Sequence, residues 1–322
     1  MVLSVSRRTD IPAFYAKWFM NRIHEGYVYV RNPFNANQIS KIPLYPEVVD
    51  CIVFWTKNPA PLLQYLSEIN ETFNGAFYFQ YTINAYGKDI EPSVPDLESR
   101  IKLFKDISRT YGPDKVVWRY DPILITEKYT VQWHIRSFKD IVRELKGYTD
   151  TCVISFVDMY DKTKMNTKGY NIQPPTLEEM NELAEAFSVV VNDTGIHIKT
   201  CAENIDFQKY GIGHNSCIDK SRIEKLTGWK IKAKQDKQRS DCQCIECADI
   251  GLYNTCLHGC RYCYANHNAR QVENAVSAHN DDSPLLTGMV TEGCKITEYS
   301  KAKSLKLEML AGEAVSEQMS FF

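Results

Sequence analysis

Short apolar or β-branched runs recur along the chain at 2–5 (VLSV), 51–55 (CIVFW), 76–82 (AFYFQYT), 115–120 (KVVWRY), 152–157 (CVISFV) and 196–200 (IHIKT). Each is followed by a longer segment whose apolar positions recur at helical spacing, so the pattern predicts six strands alternating with helices. Segment 96–112 opens on an N-cap aspartate, Asp96, and stops at Gly112-Pro113, and segment 176–191 opens on Pro175 and Thr176 with acidic residues in its first turn. These are helix start and stop signals. Strands in regular alternation with helices imply parallel pairing through right-handed crossovers, hence a doubly wound sheet or a complete or partial βα barrel.

The polar positions favour the barrel. Nearly every strand run ends in a polar sequence, often with proline after it: SRRTDIP, FWTKNP, QYTINAYG, WRYDPI, SFVDMY, KTCAEN. On the C-terminal face of a barrel, Arg7, Arg8, Asp10, Thr56, Lys57, Asn58, Gln80, Asn84, Arg119, Asp121, Asp158 and Glu203 would line one mouth. Asn, Asp and Pro also make ordinary turns, but arginine, lysine, tryptophan and glutamine are not turn formers and recur at the same end of successive strands. The expected fold is therefore α/β, a partial (β/α)6-type TIM-like barrel over 1–205, with a cysteine-rich segment over 206–322. In that segment 211–220 reads as a loop and 228–241 as a polar linker, where Lys230, Lys232, Lys234, Lys237 and Arg239 suit a solvated face better than a phosphate site. No internal repeat or low-complexity tract interrupts the chain.

Composition narrows the function classes. The 322 residues are 44% apolar and 24% charged, an ordinary globular balance with ample material for a core. With 38 basic against 40 acidic side chains the net charge is −2, which removes the basic field that non-specific binding to nucleic acid or anionic membrane requires. No apolar run approaches the roughly 18 residues of a bilayer span. The start, MVLSVSRRTD, carries charges where a signal peptide needs its apolar core, so a cytoplasmic protein is expected. In that reducing compartment eleven cysteines call for an explanation other than disulfides.

Their positions sort them. Cys51 and Cys152 lie inside apolar runs and Cys294 has no motif around it, so these three read as inert small hydrophobes. Cys242, Cys244, Cys247, Cys256, Cys260 and Cys263 fall within 22 consecutive residues, the density of a metal site. Cys256-Leu-His-Gly-Cys260-Arg-Tyr-Cys263 is CxxxCxxC with an aromatic residue, Tyr262, before the last cysteine. Three thiolates on one short loop can bind three irons of a [4Fe–4S] cubane and leave the fourth open, whereas structural zinc sites are closed by four ligands. Cys201, Cys217, Cys242 and Cys244 are the four thiolates of a possible second [4Fe–4S] cluster or a zinc ion, with Cys247 able to replace one of them.

The CxxxCxxC loop resembles the signature of the radical S-adenosylmethionine superfamily. More specifically, the chain from SRRTDIPAFY through WRYDP and TCAEN to CLHGCRYCYAN resembles an uncharacterised bacterial radical-SAM-like family with its cysteine cluster at the C-terminal end. The resemblance implies a barrel fold, a [4Fe–4S] cluster held by Cys256, Cys260 and Cys263, and S-adenosylmethionine on the fourth iron. It also implies reductive cleavage of that cofactor to methionine and a 5′-deoxyadenosyl radical that acts on a substrate, with a reductant such as ferredoxin or flavodoxin. In those enzymes the cysteine loop follows the first strand, whereas here it follows all six units, and no Gly-Gly-Glu sequence is present. The segment 206–322 must then fold back so that the three cysteines reach Ser6–Asp10 at the barrel mouth. Arg119 and Asp121 become candidates for the cofactor's carboxylate and its ribose hydroxyls or ammonium, unless they form a structural pair. Tyr262 would sit near the adenine. Arg7, Arg8, Lys57 and Arg119 suggest an anionic group in cofactor or substrate, and Trp55, Tyr81 and Tyr160 could stack a base, so a small-molecule or nucleotide-like substrate is expected.

Two other readings compete. In one, the clustered cysteines form zinc knuckles beside the lysine run and contact nucleic acid, with Tyr253, Tyr262 and Tyr264 for stacking. In the other, the chain is an iron–sulfur electron carrier, with a remote cysteine such as Cys294 as fourth ligand. Against the first stand the CxxxC spacing and the acidic balance, and against the second stands the missing fourth ligand after Cys263.

Overall fold

The computed structural model describes residues 1–159, 161–201, 203–236 and 242–310, the side chains of residues 161, 162 and 165 excepted. Tyr160, Lys237 and Arg239 therefore lie outside the described residues. Six parallel strands follow the sequence pattern: β1 Val2–Val5, β2 Cys51–Thr56, β3 Phe77–Thr82, β4 Val116–Ile123, β5 Thr151–Phe156 and β6 His197–Thr200. Two more come from the segment where the alternation broke down, β7 Gly213–His214 and β8 Cys247–Asp249. The spatial order is β8-β1-β2-β3-β4-β5-β6-β7, all pairs parallel.

The fold is thus mixed α/β around one large parallel sheet, and the expectation of six strands is corrected to eight. Among the described residues the sheet is open, because β8 pairs only with β1 and β7 only with β6. The two extra strands escaped the sequence pattern because three and two residues are too few to show a period. The loop expected at 211–220 contains β7, and the linker expected at 228–241 contains a strand, Trp229–Ile231, paired with Lys306–Met309.

Both faces of the sheet are buried, which is why its strands read as nearly continuous apolar runs. Alternate side chains (Leu3, Ile52, Phe54, Phe77, Phe79, Trp118, Tyr120, Ile154) pack against the helices of the βα units. These include α1 Ala16–Glu25, α2 Leu66–Thr72, α3 Leu97–Tyr111, α4 Val131–Leu145 and α5 Leu177–Val191. The α3 cap is Asp96, which accepts from Ser99 N at 2.8 Å, and Thr176 with Glu179 forms a capping box on α5. Phe138 of α4 stacks on Phe187 of α5 at 3.9 Å and on Trp118 of β4 at 4.9 Å. Each such fully buried side chain contributes roughly 1.5–3 kcal/mol of hydrophobic stabilisation.

The opposite face (Val2, Cys51, Val53, Tyr78, Val117, Val153) is covered by Ile218, Ile223, Ile231, Cys217, Cys244, Ile245 and Leu305, all from the later segment. An antiparallel hairpin, Tyr27–Asn32 with Asn35–Pro43, is inserted between α1 and β2 and takes up a parallel third strand, Lys295–Glu298. No helix among the described residues is long and apolar enough to cross a membrane.

Candidate functional site

The parallel strands end on one face, and the loops there enclose a cavity of about 230 Å³. Arg7, Arg8, Thr9 and Asp10 after β1, Lys57 after β2, Asp121 of β4, and Ser155 and Asp158 at and beyond the end of β5 line one side. The other side is the loop after β8, with Cys256, His258, Cys260, Tyr262, Cys263 and Tyr264. β8 lies on the outer edge of β1, parallel to it, with Val2 opposite Cys247 and Ser4 opposite Asp249. A loop that comes last in sequence therefore issues from the strand that is spatially first.

Two carboxylates tie this loop to the sheet. Asp249 accepts from Ser4 Oγ at 2.8 Å, Ser6 Oγ at 2.6 Å, Arg7 N at 2.9 Å and Gly251 N at 3.0 Å. Gly251 is required by close approach, since a Cβ there would stand 1.9 Å from Ser6 Oγ. Asp10 accepts from Ala13 N at 3.0 Å and Lys57 N at 2.7 Å, and its Oδ2 is 2.8 Å from His258 Nε2. Tyr264 OH also donates to Arg7 O at 2.7 Å. The cysteine loop thus meets Ser6–Asp10 through three side-chain anchors.

A buried carboxylate organises the side nearest Cys260. Glu91 accepts from Lys57 Nζ at 2.9 Å and from Tyr262 OH, and Arg100 Nη1 lies 3.9 Å from its second oxygen. Burial pushes its carboxyl up, but Lys57 and Arg100 outweigh that and hold it below the usual range. Lys57 Nζ also lies 5.5 Å from the Tyr262 ring centroid. Sequence reasoning did not single out Glu91, Arg100 or His258. His258, inside the cysteine motif, was the one with a readable signal, while Glu91 and Arg100 gain their roles only by folding.

The predicted site residues divide by position. Arg7, Arg8, Asp10, Thr56, Lys57, Asp121, Asp158 and Tyr262 line the cavity, and Arg119 does not. Arg119 gives Nε and Nη2 to Asp121 Oδ2, at 3.0 and 2.6 Å, and Nη1 to Cys217 Sγ at 2.9 Å. Asp121 is lowered although burial alone would raise it, because Arg119 faces it, and Ser155 Oγ donates to its other oxygen. Asn84 brackets Asp121 through its backbone, Gln80 donates to Cys217 O at 2.8 Å, and Asn58 caps the turn after β2. Glu203 accepts from Phe156 N at 2.9 Å, and burial pushes its carboxyl up to about 7, with Asp158 and Asp121 adding to the rise. Tyr81 packs in the helix-side core, away from any base-stacking role.

Eight of the eleven cysteines form two groups. Cys256, Cys260 and Cys263 share the cavity wall, and no other cysteine among the described residues lines it. Burial pushes the Cys256 and Cys260 thiols well up; Asp10 adds to the first and Lys57 opposes the second. Cys201, Cys217, Cys242, Cys244 and Cys247 gather instead on the opposite sheet face. Cys51 and Cys152 are fully buried in the core, as their sequence context suggests. Cys294 departs from that expectation: it is partly exposed, and hydrogen bonds from Thr291 together with Arg31 bring its thiol down to about 7. Among the described residues no three His, Cys, Asp or Glu side chains converge as a cage for a single metal ion.

No curated protein matches the chain. Among solved structures, spore photoproduct lyase complexed with dinucleoside spore photoproduct aligns at 16% identity and a TM-score of 0.34, over 46% of this chain and half (50%) of that one. A candidate α-L-fucosidase from Bacteroides thetaiotaomicron aligns at 12% identity and a TM-score of 0.22, over 62% of this chain and 82% of that one. Likenesses this weak carry no functional weight. A family model, by contrast, covers both the strand ends and the whole cysteine loop, matching residues 2–265, and the chain belongs to that family, described as Domain of unknown function (DUF1848).

Proposed function

We propose that the chain is a radical S-adenosylmethionine enzyme in which Cys256, Cys260 and Cys263 hold a [4Fe–4S] cluster beside the polar strand ends of a partial (β/α)6-type barrel. The observation that carries this reading is that the three thiols of the CxxxCxxC loop share one cavity with Arg7, Arg8, Asp121 and Asp158. In this reading 1–205 is the barrel unit and 206–322 the unit that closes over its mouth.

The donor set fits such a cluster. In a cubane each thiolate binds a different iron, so the thiols need not converge on one point as they would around a single ion. Three cysteines and no fourth on that wall leave one iron for an exogenous ligand. Thr9 Oγ1 and His258 Nδ1, both from cavity-lining residues, are buried with no hydrogen-bond partner among the described residues, as expected of groups that await a polar ligand. When bound, the cluster and cofactor supply an electron and, by reductive cleavage of the sulfonium, a carbon-centred radical.

The chain's own residues bind and orient. Arg7 and Arg8 present guanidinium groups for a carboxylate or phosphate, and Asp121, Ser155 and Asp158 accept from hydroxyl or ammonium groups. Arg119 is a positioning residue that acts through Asp121, and Asp10 with His258 sets the height of the cysteine loop over the sheet. Tyr262, fixed by Glu91 and Lys57, walls the cavity beside Cys260. A small reductant protein such as ferredoxin or flavodoxin supplies the electron, and the substrate is a small or nucleotide-like molecule.

Anaerobically reconstituted protein is expected to be brown, with absorption near ~400 nm typical of thiolate-bound cubanes. With a strong reductant it should release 5′-deoxyadenosine from S-adenosylmethionine, and Cys260→Ala should abolish that release. Colourless protein with stoichiometric zinc bound to the 256–263 loop would overturn the proposal.

A further inference from the structure

Five of the cysteines outside the cavity, Cys201, Cys217, Cys242, Cys244 and Cys247, are not needed by the proposed reaction, yet the fold gathers them on one sheet face from three separate stretches of chain. Cys201 follows β6, Cys217 follows β7, Cys242 and Cys244 lead into β8, and Cys247 is its first residue. Cys201 Sγ and Cys217 Sγ lie 3.1 Å apart, and Cys244 is the next thiol beside Cys217. Cys242 and Cys244 are two residues apart, just before Ile245, which bridges Gln235. Cys242 packs against the same buried cluster that contains Cys217 and Cys244. Cys247 Sγ instead accepts from Arg7 Nη2 at 3.0 Å.

Nitrogen donors converge on these sulfurs. Arg119 Nη1 points at Cys217 Sγ from 2.9 Å, Asn215 Nδ2 from 3.3 Å, and the Ile218 amide at Cys244 Sγ from 3.4 Å. A neutral thiol is a weak acceptor. Three N–H groups, one of them on a guanidinium that is only 5% exposed, are a poor match for inert buried thiols and a good one for anionic sulfur.

We propose that Cys201, Cys217, Cys242 and Cys244 form a second, tetrathiolate metal centre, distinct from the cavity. Four thiolates suit zinc or an iron–sulfur cluster and exclude hard cations such as magnesium and calcium. The four thiols do not form a closed cage in this structure; two sulfurs on one tetrahedral zinc stand about 3.8 Å apart for Zn–S bonds of about 2.3 Å, so the hydrogen-bonded Cys201–Cys217 pair must spread, and Cys242 and Cys244 close in, when metal enters. Arg119 couples the two regions: one face of its guanidinium holds Asp121 in the cavity wall and the other offsets the negative charge of the centre. Trp55 stands between them, 5.4 Å from the Arg119 guanidinium and 6.0 Å from that of Arg7.

The test separates this centre from the first. The full-length Cys256→Ala/Cys260→Ala/Cys263→Ala variant, purified anaerobically, should retain either about one zinc, or about four irons with acid-labile sulfide, per chain. Zinc and iron–sulfide are the two arms that identify the metal. Adding Cys217→Ser and Cys244→Ser should remove it, with circular dichroism confirming the fold. In the wild-type background, Cys217→Ser/Cys244→Ser should lose one centre's metal and keep what the 256–263 loop binds. A triple variant that folds, holds no stoichiometric metal and titrates Cys201, Cys217, Cys242 and Cys244 as free thiols overturns the proposal, as does a Cys201–Cys217 disulfide. Neither outcome touches the first cluster, whose failure would show instead as wild-type protein holding only the second centre's metal.

Discussion

His134, in the first turn of α4, has both ring nitrogens engaged at 2.8 Å, Nδ1 with Tyr120 OH and Nε2 with Leu124 O. With Tyr120 donating and Leu124 accepting, the pattern suits the neutral tautomer, and burial lowers its pKa to about 4. An unfolded chain takes up the proton near 6.5, so the contribution is complete above that pH and is lost as pH falls toward 4. The loss is about 3 kcal/mol across the window. Urea unfolding at pH 7 and pH 4.5 should show this fall in the wild type and a flatter dependence in His134→Gln; equal slopes would remove His134 as the cause. Nothing in the sequence marked this residue, since a lone histidine on a helix declares its partners only after folding. Glu91 teaches the same lesson, because Lys57, Arg100 and Tyr262 reach it from three different elements.

At the scale of elements, β8 decides where the cysteine loop goes. Its three residues give little pairing of their own, and Asp249 compensates with four accepted hydrogen bonds at the edge of β1. Asp249→Ala leaves those donors unpaired and should cost on the order of 3 kcal/mol in urea unfolding, with weaker metal uptake by the 256–263 loop. Gly251→Ala forces Ser6 aside and should cost roughly 1–3 kcal/mol by overpacking. Gly293→Ala, where an added Cβ meets nothing within 4 Å, should stay within about 0.5 kcal/mol. The six longer strands and the caps of α3 and α5 were readable because period, β-branching and N-cap chemistry are local properties. Strands β7 and β8 were not, because their pairing is supplied by neighbours remote in sequence.

Over the whole molecule, one sheet carries two buried faces of different origin. The helices of the βα units cover one, and chain beyond residue 205 covers the other with Ile218, Ile223, Ile231, Ile245 and Leu305. A fragment of residues 1–205 should therefore expose Val2, Val53, Tyr78, Val117 and Val153 together and self-associate in size-exclusion chromatography. A monomeric fragment with a cooperative unfolding transition would show that the face does not need this cover. By itself the sequence determined the strand–helix alternation, the polar strand ends and the spacing of Cys256, Cys260 and Cys263, because each is encoded within a few residues or one repeating unit. Tertiary structure alone decided that the last strand of the sheet stands beside the first, which is how the late cysteine loop comes to the early strand ends where the resemblance placed it. It also decided that the sheet stays open, that Arg119 is committed to Asp121 and Cys217, and that Cys201 meets Cys217. These are contacts between distant segments, and their geometry follows from packing the whole chain around one sheet.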